Sequence, residues 1–197
     1  MIKEKFNPRV LVLLGFMLAV VILRIVFNPT SGFAFLSNFT PIGAMALFGG
    51  AYFSSKKAYL FPLLTLWLSD ILLGRFVYDH QWQLFYGGFY WVYGAFILMV
   101  ITGKLLLKNI SVKNILLSAF VITFIHWIIT DLGVWLAGSM YPKTPAGYLA
   151  CLTAAIPFER NFLAGVLLYS AIMFGAFEWM RSRYPALSII KSTQPGT

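Results

Sequence analysis

The strongest constraint on this chain is a succession of apolar runs, each near the length that crosses a bilayer, with basic residues in the gaps between them. The runs cover residues 10–27, 39–53, 58–74, 85–107, 115–137 and 161–180. About 20 apolar residues in an α-helix span the hydrocarbon core, where helices and closed barrels alone satisfy their own backbone polar groups. Of the 197 residues 60% are hydrophobic and 11% charged, against about one quarter charged in soluble domains. The fold class expected is therefore an all-α integral membrane protein. Its six transmembrane helices form one bundle over residues 1–184, followed by a polar, disordered cytoplasmic tail over 185–197.

The basic start at residues 1–9 resembles the head of a signal peptide. No small-residue cleavage site follows it, and the apolar stretch after it is too long for a signal core, so it reads as a retained first helix. The second run is short and glycine-rich through Pro41-Ile42-Gly43 to Gly49-Gly50-Ala51, which makes it the weakest of the six spans.

A net charge of +9 raises the question of nucleic acid, and the placement of the charges answers it. Six spans with the N-terminus inside put eleven Lys and Arg residues on the cytoplasmic side: Lys3, Lys5, Arg9, Lys56, Lys57, Lys104, Lys108, Lys113, Arg181, Arg183 and Lys191. Only Arg75, Lys143 and Arg160 fall outside, and Arg24 lies within the first span. This is the positive-inside pattern, so the partner implied is the lipid bilayer and not nucleic acid, with both ends cytoplasmic.

The outer connections are longer and richer in aromatic and polar residues than the inner ones. In the last of them Thr144 is placed to cap a helix with Pro145 in its first turn. Pro157 is placed to end it, so a short interfacial helix is expected between helices 5 and 6, covering the outer mouth.

Ionisable residues inside membrane helices are rare, and usually face a bundle interior or a water-filled cavity. Here Arg24, Asp70, Asp131 and the Glu159-Arg160-Asn161 cluster share the outer half of their helices, His126 lies nearer the middle, and Arg75, Asp79 and His80 follow in the third-to-fourth connection. One reading is an outward-opening pocket with Asp70 and Asp131 as acceptors, Arg24 or Arg160 as their partners, and Asn161 beside them. The other is a set of ion pairs that hold helices together. Trp127 and Trp135 stand four residues either side of Asp131 and share its face. They suit a flat or cationic ligand, and equally an interfacial aromatic belt. His126 is about 140° from Asp131 on an ideal helix, so the two do not pair directly. The fourth segment opens with Trp82, Tyr86 and Trp91 among further aromatics, dense enough to stack on a conjugated ligand or to anchor and pack the helix. Small residues recur as Gly15-x-x-x-Ala19 and Ala46-x-x-x-Gly50-x-x-x-Ser54, ridges that allow close helix contact.

No phosphate-binding Gly-x-x-x-x-Gly-Lys-Ser/Thr loop, no Gly-x-Ser-x-Gly elbow and no His-Glu-x-x-His motif occurs in the chain. The single cysteine, Cys151, excludes an internal disulfide and a cysteine-clustered metal site. No cofactor, metal or catalytic residue is assigned.

Several strings taken together, Asn38 to Ala51, Leu68-Ser69-Asp70, Asp131 to Leu136, Tyr141-Pro142-Lys143-Thr144 and Ala154 to Asn161, resemble a family of small bacterial membrane proteins grouped with transport proteins. That family is related to the substrate-binding S components of energy-coupling-factor vitamin transporters. The resemblance implies a six-helix subunit of the bacterial cytoplasmic membrane that binds a small micronutrient from outside. It also implies association with a coupling transmembrane subunit and two cytoplasmic ATPases, with Gly15 and Ala19 as the docking contact. One branch of such proteins handles cobalamin through a cobalt-ligating cysteine; His80 offers an imidazole, also a cobalt ligand. Vitamin uptake without catalysis is thus the expected function, with Asp70, His80, Trp82, Tyr86, Trp91, Trp127, Asp131, Trp135, Arg160 and Asn161 as substrate contacts. The rivals are a membrane enzyme using Asp70, His126 and Glu159, and an assembly subunit without a ligand.

Overall fold

A computed structural model describes residues 8–28, 30, 32, 34–53, 56–78 and 80–184. Lys3, Lys5, Lys191, Ser54, Asp79 and the tail from residue 185 lie outside them. Among the described residues the chain is entirely helical: α1 (Pro8–Val26), a 3-10 turn (Ala34–Leu36), α2 (Ile42–Tyr52), α3 (Lys57–Phe76), α4 (Phe89–Leu106), α5 (Val112–Ala137) and α6 (Pro145–Arg183). The last four are each long and apolar enough to cross a membrane. They also turn large apolar side chains outward, among them Leu60, Leu68, Phe120, Phe124, Leu168 and Ile172. In water these would be liabilities, whereas lipid is as apolar as they are.

Contacts between helix ends fix the relative directions. Lys104 at the end of α4 lies over the ring of Tyr59 at the start of α3, and Trp91 at the start of α4 meets Gly133 at the end of α5. Both pairs are antiparallel. Trp127 bonds Leu152 and Trp135 bonds Pro142, so α5 and α6 form an antiparallel hairpin. The termini gathered at one end of the bundle are therefore those of α1 and α3 (C-terminal), α4 (N-terminal), α5 (C-terminal) and α6 (N-terminal).

Helix α2 is the core of the bundle. Every residue in it except Ala51 is buried, and at about 1.5 Å per residue its 11 residues fall short of the roughly 30 Å hydrocarbon core. Its small residues explain its place. A side-chain carbon added at Gly103 on α4 would sit 2.7 Å from the Leu47 carbonyl oxygen, and one at Gly50 would strike the Val100 carbonyl. Backbones this close tolerate only glycine. Phe48 then fills the space toward α6, edge-on to Phe174 and Phe177 at centroid separations of 5.4 and 5.2 Å.

The expected cap helix between helices 5 and 6 is not a separate element. Thr144 does cap the helix, accepting from the Gly147 amide at 3.1 Å, and Pro145 does stand in its first turn. Pro157, however, sits inside a helix that continues unbroken for 39 residues. A proline removes one backbone bond and crowds the preceding turn, a loss that membrane helices tolerate where neighbouring helices hold the turns on either side. Here α5 does so: the Trp127 indole donates to the Leu152 carbonyl at 3.0 Å, Tyr148 donates to the Ile128 carbonyl at 2.8 Å, and His126 grips Glu159. The first turns of α6 are packed along α5 instead of lying across the bundle mouth.

Candidate functional site

The parallel course of α1 and α3 brings Arg24, in the last turn of α1, level with Ser69 and Asp70. Its Nη1 lies 2.8 Å from Asp70 Oδ1 and also donates to Ser69 Oγ. Ser69, fully buried, donates its own proton to the Leu66 carbonyl at 2.8 Å. Tyr93, in the second turn of α4, donates to Asp70 Oδ2 at 3.1 Å. Both carboxylate oxygens thus have a donor, as burial of a charge requires.

This pair lies at the wall of a cavity of about 460 Å³, which Leu73 and Gly74 also line. Its other side is the connection from α3 to α4, through Tyr78, Gln83, Leu84 and Tyr86. That connection is pinned in two places. The Trp67 indole donates to the Leu84 carbonyl at 3.0 Å, and Arg75 donates to the His80 carbonyl at 3.2 Å while lying over the Phe76 and Trp82 rings. His80 meets Arg75 from a left-handed backbone, φ 55, and Gly88, at φ 80, turns the chain into α4. Partial burial pushes the Tyr86 hydroxyl above the ordinary phenol range, reinforced by the Asp70 carboxylate. Burial raises Tyr78 too, against the nearby Arg24 charge. Both phenols keep their protons and remain donors. The cavity therefore presents a cation, an anion, a primary amide and two neutral hydroxyls, a set suited to holding a small polar ring by hydrogen bonds.

A second polar cluster joins α5 to α6. His126 Nδ1 is 2.8 Å from Glu159 Oε1, and the imidazole stacks on Phe162 at 4.2 Å and 14°. Asp131 lies on the same helix as His126; its backbone carbonyl is 3.7 Å from Cys151 Sγ. Among the described residues no group of three or more His, Cys, Asp or Glu side chains is arranged to hold a metal ion.

Residues 4–187 match the model of a family described as a family of unknown function, DUF6580. The chain belongs to the DUF6580 family. No curated protein and no solved structure matches it.

The residues expected to form one site fall into several settings in this DUF6580 chain. Asp70 and Tyr86 line the cavity. Trp82 and His80 are exposed on the same connection, where Trp82 is 66% exposed and packs edge-on to Phe76. Trp91 fills the space above Gly133, where a side-chain carbon would come within 2.5 Å of the indole. Asp131 belongs to the second cluster, and the two indoles flanking it, Trp127 and Trp135, spend their N–H groups on α6 and the preceding loop, at Leu152 and Pro142. Asn161 donates to the carbonyls of Phe35 and Ser37 at 2.8 and 3.0 Å, tying α6 to the α1–α2 connection. Arg160 is exposed beside an apolar groove. Gly15 and Ala19 are exposed on α1, with nothing within 4 Å of a carbon added at Gly15. The trio Asp70, His126 and Glu159 is divided: Asp70 bonds Arg24 and Tyr93, while His126 and Glu159 bond each other. Sequence reasoning missed Tyr78, Gln83 and Tyr93. Gln83, an amide inside an aromatic run, was the available signal; Tyr93 had none, because its meeting with Asp70 depends on how α3 and α4 are set against each other.

Proposed function

We propose that this chain is the membrane-embedded receptor of an uptake system. In this reading six helices cross a bacterial cytoplasmic membrane with both ends inside, and a small micronutrient enters from the outer face into the cavity beside Arg24 and Asp70. The bundle then releases it inward in company with a coupling membrane subunit and ATPases, as S components do. The observation that carries the reading is the cavity itself. An ion pair that only ties helices together needs no space beside it, yet this one borders about 460 Å³, within the roughly 300–1,000 Å³ usual for small-molecule sites. The basic residues at the opposite end, Lys56, Lys57, Lys104, Arg181 and Arg183, support the orientation. The size and donor set favour a flat, single-ring-system compound with amide or zwitterionic character over a corrin macrocycle, and the His80 side chain is not among the groups that line the cavity.

Mass spectrometry of molecules extracted from protein purified in lipid nanodiscs tests this. A single small compound retained by the wild type and by Asp131→Asn, and reduced at least tenfold in Asp70→Asn and Tyr86→Ala, is the expected result. Failure of the wild type to retain any compound, or full retention by a monodisperse Asp70→Asn variant, overturns it.

A further inference from the structure

Arg24 spends only one of its guanidinium nitrogens on the protein. Asp70 Oδ1 at 2.8 Å, Ser69 Oγ and the Leu66 carbonyl at 3.4 Å all meet Nη1. Nε and Nη2 have no acceptor among the described residues, and neither is among the buried polar atoms left unpaired. The unanswered nitrogens therefore keep open surface, on a side chain that borders the cavity. In arginine these two form one edge of the planar group, with N–H bonds side by side, the fork that matches a carboxylate through two parallel hydrogen bonds. The cavity phenols add to this surplus of donors. Neither the Tyr78 nor the Tyr86 hydroxyl bonds a described residue, and neither is sealed from the open space. Asp70, the anion of the cavity, already has a donor on each oxygen, from Arg24 and Tyr93.

We propose that the ligand of this cavity is a ring compound with one carboxylate, whose two oxygens take the Nε and Nη2 N–H groups of Arg24, with the Tyr78 and Tyr86 hydroxyls as further donors. The proposal rests on the receptor reading above and narrows its amide-or-zwitterion ligand to one that carries a carboxylate. A carboxamide of the same shape offers the fork one acceptor and sets its own N–H₂ against the other N–H. A phosphate brings a second negative charge next to Asp70, and Arg24 is the one cation among the described residues that line the cavity. An organic cation meets a guanidinium of its own sign, while the carboxylate that would attract it is engaged on both oxygens.

The test is saturation-transfer NMR on nanodisc-embedded protein at neutral pH, with benzoate, benzamide and phenyl phosphate as probes. Saturable benzoate binding is expected in the wild type, tighter than either analogue by about tenfold or more, the worth of one hydrogen bond to a charged group. Arg24→Lys keeps a cation for Asp70 but has no fork, and should weaken benzoate by about the same factor while leaving benzamide unchanged. Because Arg24 also ties α1 to α3, Tyr78→Phe/Tyr86→Phe, which leaves the ion pair in place, provides a second variant and should weaken benzoate severalfold. Benzamide or phenyl phosphate binding as tightly as benzoate, benzoate affinity unchanged in both variants, or no saturable benzoate binding would overturn the carboxylate assignment. The receptor reading stands or falls on the extraction experiment instead: a retained compound without a carboxylate would overturn the assignment and leave the receptor in place.

Discussion

A guanidinium in the last turn of an apolar helix needs a counter-charge on a neighbouring helix, and Arg24 has one in Asp70. Removing one member of such a buried pair strands the other at a cost of about 3–5 kcal/mol, whereas removing both is close to neutral. Thermal unfolding in detergent should therefore show a large loss for Arg24→Leu, and recovery of most of it in Arg24→Leu/Asp70→Leu; ligand retention should stay lost in both. The phenols of the cavity give a second expectation. Tyr78 and Tyr86 hold their protons above the ordinary value of about 10, so above that pH the unfolded chain releases protons that the folded chain keeps. Stability then falls as pH rises through the alkaline range, and should fall less steeply in Tyr78→Phe/Tyr86→Phe when unfolding is followed from pH 9 to 11. Asp70 was legible in the sequence because a carboxylate in an apolar run announces itself. The pairing of His126 with Glu159 was not, since it depends on the register of α5 against α6, which no spacing within either helix records. Trp127 and Trp135 illustrate the same limit: their four-residue spacing from Asp131 is real, but the indole N–H groups reach toward the neighbouring chain segments.

At the scale of elements, hydropathy recovered the helices and misjudged one boundary. Pro157 followed by charged residues looks like an end, and in isolation it would be one; α5 supplies the side-chain bonds that carry the helix past it. With those bonds present, the Thr153 carbonyl is the one that loses its backbone donor. Pro157→Ala should restore it and stabilise the fold by up to about 3 kcal/mol on soluble-helix values, read as a higher midpoint of thermal unfolding with no change in helix content by circular dichroism. The opposite result is expected at the α2–α4 crossing. Gly103→Val places branched carbons against the Leu47 backbone and should destabilise the protein by about 1–3 kcal/mol, the usual cost of overpacking. The shortness of α2 was visible in the sequence. Its role as the buried centre was not, because a helix surrounded by protein and one surrounded by lipid are equally apolar.

For the whole molecule, the alternation of helix directions and the distribution of basic residues make orientation testable with one reactive thiol. After Cys151→Ser, a cysteine at position 143 should react with a membrane-impermeant maleimide added to intact cells, and one at position 108 should react only after the membrane is opened; the reverse pattern would invert the topology. Helix α6 bears on what such a molecule does when it moves. Its 39 residues extend about 58 Å at 1.5 Å per residue, roughly twice the hydrocarbon thickness. One rod thus touches the loop beyond α5 at one end and, through Glu178, the Tyr52 hydroxyl at the other, 2.5 Å away. It is a lever whose arm exceeds the thickness of a bilayer core: pivoting by about 5° at one end sweeps the far end through about 5 Å over that length. A displacement imposed on one tip would be felt at the other with no rearrangement inside the helix at all.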